Sequence, residues 1–149
     1  MLLDVISSAP QYRTLLAAMA KRGWPAQMTG LGHIHKAAVA AALSETGPFL
    51  VITPDEAMAI RLCEDVNAFT GEERAFVYPA REFTFREVEG VSREYEFARL
   101  KVLSGLAQRK ISMVICSIEA LLQYTLPPKT LRENTVAICP GEEYSPKDL

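Results

Sequence analysis

No sign of charge dominates this sequence: 16 lysines and arginines stand against 18 aspartates and glutamates, for a formal net charge of -2. Without a basic surplus there is no footprint for stand-alone nucleic-acid binding, which needs a positive surface against the phosphates. Cysteine is scarce too. Cys63, Cys116 and Cys139 lie far apart, with no CxxC pair and no Cys/His run at zinc spacing, so a zinc site and a disulfide framework are both excluded. Each lies in an apolar stretch and reads as a buried free thiol. The odd count, without a secretion signal, fits a reducing cytoplasm. Residues 1–10 hold no basic region and too short an apolar run for a signal peptide. No apolar segment approaches the roughly 20 residues that span a bilayer, so no membrane partner is expected. There is no internal repeat and no low-complexity linker. Histidine is limited to His33 and His35, in one loop, without a third metal ligand nearby, and both read as loop side chains facing solvent. No Ser/His/Asp or Cys/His nucleophile arrangement is present. Trp24, between Gly23 and Pro25, reads as a packing anchor.

What is there is a globular core. Apolar residues make up 49% of the 149 and charged residues 23%, ordinary values for one domain with a real interior. Elements alternate along the chain. Residues 10–22 read as a helix opened by Ser8 and stopped by Gly23, 26–29 as a short strand, and the alanine-rich 33–44 as a helix. "PFLVIT" (48–53) is a strand bounded by Gly47-Pro48 and Pro54. A helix follows, with Thr53 as cap, Pro54 in its first position and Glu56 closing a capping box. Ala59, Leu62, Val66 and Phe69 form its apolar face, and Gly71 ends it. "RAFVYP" is a third strand. Residues 80–92, "AREFTFREVEGVS", read as a long loop. Ser92 opens a helix with Phe97, Leu100, Leu103 and Leu106 on one face. "ISMVICS" is a fourth strand, Ser117 caps a short helix broken by Pro127-Pro128, "NTVAICP" is a fifth strand, and "SPKDL" begins another helix. This order implies an α/β fold, a mostly parallel sheet of about five strands with helices on both faces, like a worn P-loop fold. The fresh helix start after Ser145 implies a piece of something longer.

The stretch "MTGLGHIHKAAVAAAL" (28–43) has the spacing of a phosphate loop, GxxxxGK[ST]. In a working loop the glycines let backbone N–H groups approach the phosphates, the lysine reaches the terminal phosphates, and the hydroxyl holds Mg²⁺. Gly30 and Lys36 stand in the right places, with Gly32 between them. His35 replaces the second glycine, where the backbone often needs a conformation open mainly to glycine. Ala37 replaces the hydroxyl. The later strands end in Cys116-Ser117 and Cys139-Pro140, without the acidic residue that would hold a metal for hydrolysis. A vestigial phosphate loop is expected, with no catalytic residue and no cofactor of its own. Asp55-Glu56 is explained by helix capping.

The segments "FLVITPDEAMAIRLCEDVNAF", "VYPAREFTFRE", "VSREYEFARLKVLSGL" and "MVICSIEALLQYTLPP", in this order, resemble the N-terminal region of the bacterial transcription-repair coupling factor (Mfd) family. The resemblance runs from about Gly30 to "PGEEYSPKDL", and "YPARE" and "SIEALLQ…LPP" are its specific parts. It implies the first half of a split, helicase-like domain similar to domain 1a of UvrB, stopping near the start of a UvrA-binding insertion. It implies that the ATP- and Mg-dependent DNA translocase motor and the RNA-polymerase-binding domain lie elsewhere in the parent. The implied role is a non-catalytic scaffold in transcription-coupled nucleotide excision repair, where removal of stalled polymerase is coupled to UvrA recruitment. The implied partners are the second half of the split domain directly, UvrA through the inserted domain, and RNA polymerase and DNA through other domains. Two departures from UvrB matter. The phosphate loop is eroded, and the connection over 79–92 is too short for the tyrosine-rich hairpin that probes DNA.

Two other readings compete. One is a nucleotide-binding ATPase or helicase-type domain, working through Lys36 despite Ala37. The other is an unrelated α/β domain sharing only helicase ancestry. Arg81 and Arg86, interleaved with Phe83 and Phe85, are the residues that would touch nucleic acid. Glu82, Glu87, Glu89, Glu94 and Glu96 outnumber Arg81, Arg86, Arg93 and Arg99 there, which reads as a solvated mixed-charge surface. Half of a split domain leaves a sheet edge and apolar surface exposed, so weak self-association is expected.

Overall fold

The three most compact apolar runs form the sheet. In the computed structural model, which describes residues 2–21, 25–81, 93–136 and 140–141, they become β1 (Phe49–Thr53), β2 (Ala75–Tyr78) and β3 (Met113–Ser117). All pairings are parallel, in the order β1-β3-β2. Ile115 lies opposite Val51 on one side and Val77 on the other. β3 is buried along its whole length, as a central parallel strand must be when both its faces are covered.

Alternation of side chains divides the core into two layers. On the front face Met113 and Ile115 meet Ala37, Ala41, Ala59, Leu62 and Val66 from α3 (His33–Leu43) and α4 (Glu56–Thr70). On the back Val114 and Cys116 meet Val102 of α5 (Glu94–Ala107). The right-handed crossover rule demands this split. The step β1 to β2 and the step β2 to β3 run in opposite directions across the sheet, so α4 and α5 must take opposite faces. Alanines give α3 its close approach to α4. Before them, α1 (Leu2–Ser8) packs on α3 and sends Leu3 into the front layer, and α2 (Pro10–Ala20) follows. After β3 come α6 (Ile118–Leu122) and α7 (Pro128–Glu133).

The α/β class and the three strands agree with expectation, and several particulars differ. Residues 25–29 carry no strand. The strand expected over 134–140 has its centre, 137–139, outside the described residues. Its start is the turn residue Asn134, just after α7, and two residues without regular structure. The helix start after Ser145 also lies outside them, as do Trp24, Gly23 and Cys139. Ser8 does not open α2: its hydroxyl donates to Val5 O at 2.8 Å, and Ala9 is the capping position, with Pro10 supplying the preset φ. α1 and α7 were not expected. Pro128, read as a breaker, is the first residue of α7, where its missing N–H costs nothing. Ser117 does cap α6, accepting from Ala120 N at 3.1 Å, and Gly71 does end α4, at φ 74°.

α4 starts two residues later than expected. Asp55, not Thr53, is its N-cap and accepts from Met58 N at 2.7 Å. Thr53 is drawn to the sheet instead, with its hydroxyl 2.7 Å from Asp55 O and 3.3 Å from Cys116 O. Glu56 closes no box; its Oε2 accepts from Ala80 N at 3.4 Å, at the end of β2. Asp55→Ala therefore removes the cap, at a cost of about 1 kcal/mol, and Thr53→Ala does not mimic it. Urea unfolding of the two variants separates the assignments. Among the described residues no helix is long and apolar enough to cross a membrane.

Candidate functional site

The approach to α3 is where a phosphate would sit if one did. Gly30 has φ 78°, open to glycine, and is exposed. Gly32 is the N-cap of α3 and offers no side-chain acceptor. The helix begins at His33, three residues before Lys36, and Lys36 N already bonds Gly32 O at 3.1 Å. His35 and Lys36 are exposed on the first turn. His35 lies against Gly32, where an added Cβ would stand 3.3 Å from its Nδ1. Ala37 is fully buried in the front layer. The five residues are thus contiguous, but the ones that would wrap a phosphate are already helical, and the position of the absent hydroxyl points into the core. His33 differs from the solvent-facing expectation. Its Nε2 lies 3.0 Å from Asp65 Oδ2 of α4, buried and without a well-formed hydrogen bond. Among the described residues no group of three His, Cys, Asp or Glu could hold a metal ion.

The two sequence segments most specific to the resemblance meet at the carboxyl ends of β2 and β3. Gln123, just past α6, accepts from Arg81 N at 2.7 Å and donates to Arg81 O at 3.2 Å. Arg99 of α5 reaches the same place. It donates to Pro79 O at 2.7 Å, to Gln123 Oε1 at 3.1 Å and to Tyr124 O at 3.4 Å. Its guanidinium lies 4.1 Å from the centre of the Tyr78 ring, a stacking geometry that favours arginine. The Tyr78 hydroxyl is 2.9 Å from Thr125 Oγ1. Arg99 is only 6% exposed, and burial lowers its pKa, with Arg81 adding to the effect and Tyr78 opposing it. It is no part of a solvated charged loop, as the sequence implied. Arg81 does belong to one: it is exposed and paired with Glu96 at 3.1 Å. Arg86, with Phe83 and Phe85, lies outside the described residues.

The apolar face expected of α5 is largely turned outward. Phe97 is 64% exposed, and Leu100 and Leu106 are exposed as well. Leu103 alone of the four packs on the back layer, beside Val102. The reason is Arg99: turning it inward to the strand ends brings Val102 onto the sheet and rotates the leucine stripe toward β1. There an open cavity of about 370 Å³ runs over Leu50, Val114 and Cys116, walled by Leu103, Leu106 and Leu121. Leu50 and Ile52, on the back of β1, are 54% and 50% exposed.

One polar device is marked only faintly in the sequence. Asn67 Oδ1 accepts from Arg74 N and Ala75 N at 3.0 and 2.8 Å, and its Nδ2 donates to Ala75 O at 2.9 Å. It clasps the start of β2 as a neighbouring strand would. Only an asparagine near a helix end, eight residues before a strand, marks it. Cys63 Sγ lies 3.1 Å from the same Ala75 O. Burial, then Glu73 and Glu64, push its thiol up to about 11, so Cys63 and Cys116 are the inert buried thiols expected.

Compared with protein-family models, curated proteins and solved structures, the chain has no match in any of the three.

Proposed function

We propose that this chain is a non-catalytic scaffold, the first part of a UvrB-like module in a transcription-repair coupling factor. The quoted segments support the family, and the spatial meeting of "YPARE" with "SIEALLQ…LPP" through Gln123, Arg81 and Arg99 gives those motifs a structural purpose. The observation that carries the scaffold role is the apolar back of β1, where Leu50 and Ile52 stand about half exposed among the described residues. A face of that kind is completed by other protein, and in this reading the second half of the split domain completes it. Recruitment of UvrA belongs to the neighbouring inserted domain, and the motor that displaces polymerase lies elsewhere in the parent. The eroded loop, with Ala37 in the core, is kept because α3 must still pack on α4.

The competing reading is a nucleotide-binding ATPase domain, favoured by the exposed Lys36 and the side-chain-free N-cap at Gly32. A ligand that binds only the folded state raises stability by about 2.7 kcal/mol at a hundred times its dissociation constant. Thermal unfolding with millimolar Mg-ATP is expected to leave the melting temperature unchanged. A rise of several degrees that Lys36→Ala abolishes would overturn the scaffold reading in favour of the ATPase.

A further inference from the structure

β2 stands at one end of the strand order, so half of its backbone polar groups turn away from the sheet. Alternate residues of a strand send their N–H and C=O to the same side. Phe49 N bonds to Ser112 O, so the even-numbered residues of β3 face β1 and the odd-numbered ones face β2. The register of β2 on β3 then turns Phe76 and Tyr78 inward, and Ala75 and Val77 outward. A bare row of that kind is a template for another strand.

Side chains of α4 occupy the row. Asn67 accepts from Ala75 N and donates to Ala75 O, and the Cys63 thiol is a second donor to that oxygen. A backbone hydrogen bond joins Val77 to the Cys63 sulfur. Past the strand, Glu56 accepts from Ala80 N. Glu56, Cys63 and Asn67 recur at helical spacing and share one side of α4. Length matches too. The helix from Glu56 to Asn67 rises about 16 Å, and the chain from Ala75 to Ala80 extends about 16 Å. α4 runs opposite to β2, so its last turn meets the start of the strand and its first turn meets the end.

We propose that α4 stands in for a strand and bars a second copy of this chain from pairing edge to edge along β2. Asn67 is the central residue, because its amide carries in one group the donor and the acceptor that a strand residue would present. Alanine at that position uncovers both polar groups of Ala75 and the N–H of Arg74. Two such edges then pair antiparallel about a two-fold axis, the arrangement in which one patch meets itself. The proposal concerns the β2 side alone and holds under either reading of the function.

Backbone amide exchange followed by NMR reads this edge residue by residue. In the native chain the Ala75 and Val77 amides are expected to exchange within about tenfold of the Phe76 and Tyr78 rates, although they point away from the sheet. In Asn67→Ala at about 10 µM the Ala75 amide is expected to exchange about a hundredfold faster than in the native chain. At about 500 µM its protection is expected to return, with a doubling of mass in light scattering beyond any association of the native chain. Fast exchange at Ala75 in the native chain would overturn the proposal. So would an Asn67→Ala chain that associates no more than the native one, or one that associates while its Ala75 amide stays unprotected. Should Asn67→Ala fail to fold, Cys63→Ala gives the same reading at Val77, and the native exchange pattern needs no variant.

Discussion

Arg99→Met lowers the melting temperature by about 10 °C, corresponding to about 3 kcal/mol for a chain of this size. Methionine keeps the length of the aliphatic stem but removes the guanidinium that stacks on the Tyr78 ring. It leaves Pro79 O and Tyr124 O without their donor, and Gln123 Oε1 with Arg81 N alone. The stranded Pro79 O is buried and costs on the order of 1–3 kcal/mol, the part-buried Tyr124 O adds less, and losing the charged donor takes the strongest bonds of the cluster with it. Arg99→Lys recovers only part of the loss, because one ammonium cannot serve acceptors spread over three segments as a planar fork does. Differential scanning calorimetry of the three proteins is the check. A methionine variant melting within about 2 °C of the native chain would show that the cluster contributes little.

Ile115→Ala is the second large effect, about 4 kcal/mol. Ile115 is fully buried at the middle of the central strand, between Val51 and Val77, under Ala59, Leu62 and Val66 of the front layer. The removed methyl groups leave a hole that backbone ladders on both sides keep from closing, which puts the cost toward the upper part of the range for such truncations. Leu122→Ala is the matched control. Leu122 is 81% exposed, and its truncation is expected to stay within about 0.5 kcal/mol of the native chain. Chemical unfolding of the pair checks whether the front layer is the stable half of the molecule.

How much of this was legible in advance depends on whether a local signal had a competitor. "FLVIT", "AFVY" and "MVICS" had none, and each became a strand within two residues of the expected ends. The same holds for Gly71 at the end of α4 and Ser117 at the start of α6. Thr53 and Asp55 both have capping side chains, and the choice fell to Asp55 because Thr53 is held in β1 opposite Ser117, two residues short of the helix, with its hydroxyl donating to Asp55 O. Periodicity on α5 pointed to one face, Phe97, Leu100, Leu103 and Leu106, yet burial of Arg99 turned a different one inward, since the three acceptors that hold it come from segments 20 to 25 residues away. Proline at 128 is ambiguous in principle, a breaker behind one helix and a favoured first residue of the next. For the candidate site, the spacing of Gly30, Gly32, His35, Lys36 and Ala37 was plain, but the point at which α3 begins was not.

Every rung of the ladder passes through β3: Phe49 waits for Met113, and so does Ala75. On a ribosome, which delivers the amino end first, β1 and β2 therefore emerge with no strand to pair with, while α3 and α4 can already dock on one another. Sheet formation is a late, long-range event, and such pairing is intrinsically slow. Until it happens, "FLVIT", which carries no charge or proline of its own, is an unguarded edge. A synonymous change that stalls synthesis between the codons for Tyr78 and Met113 would lengthen that interval without altering a single contact of the finished fold.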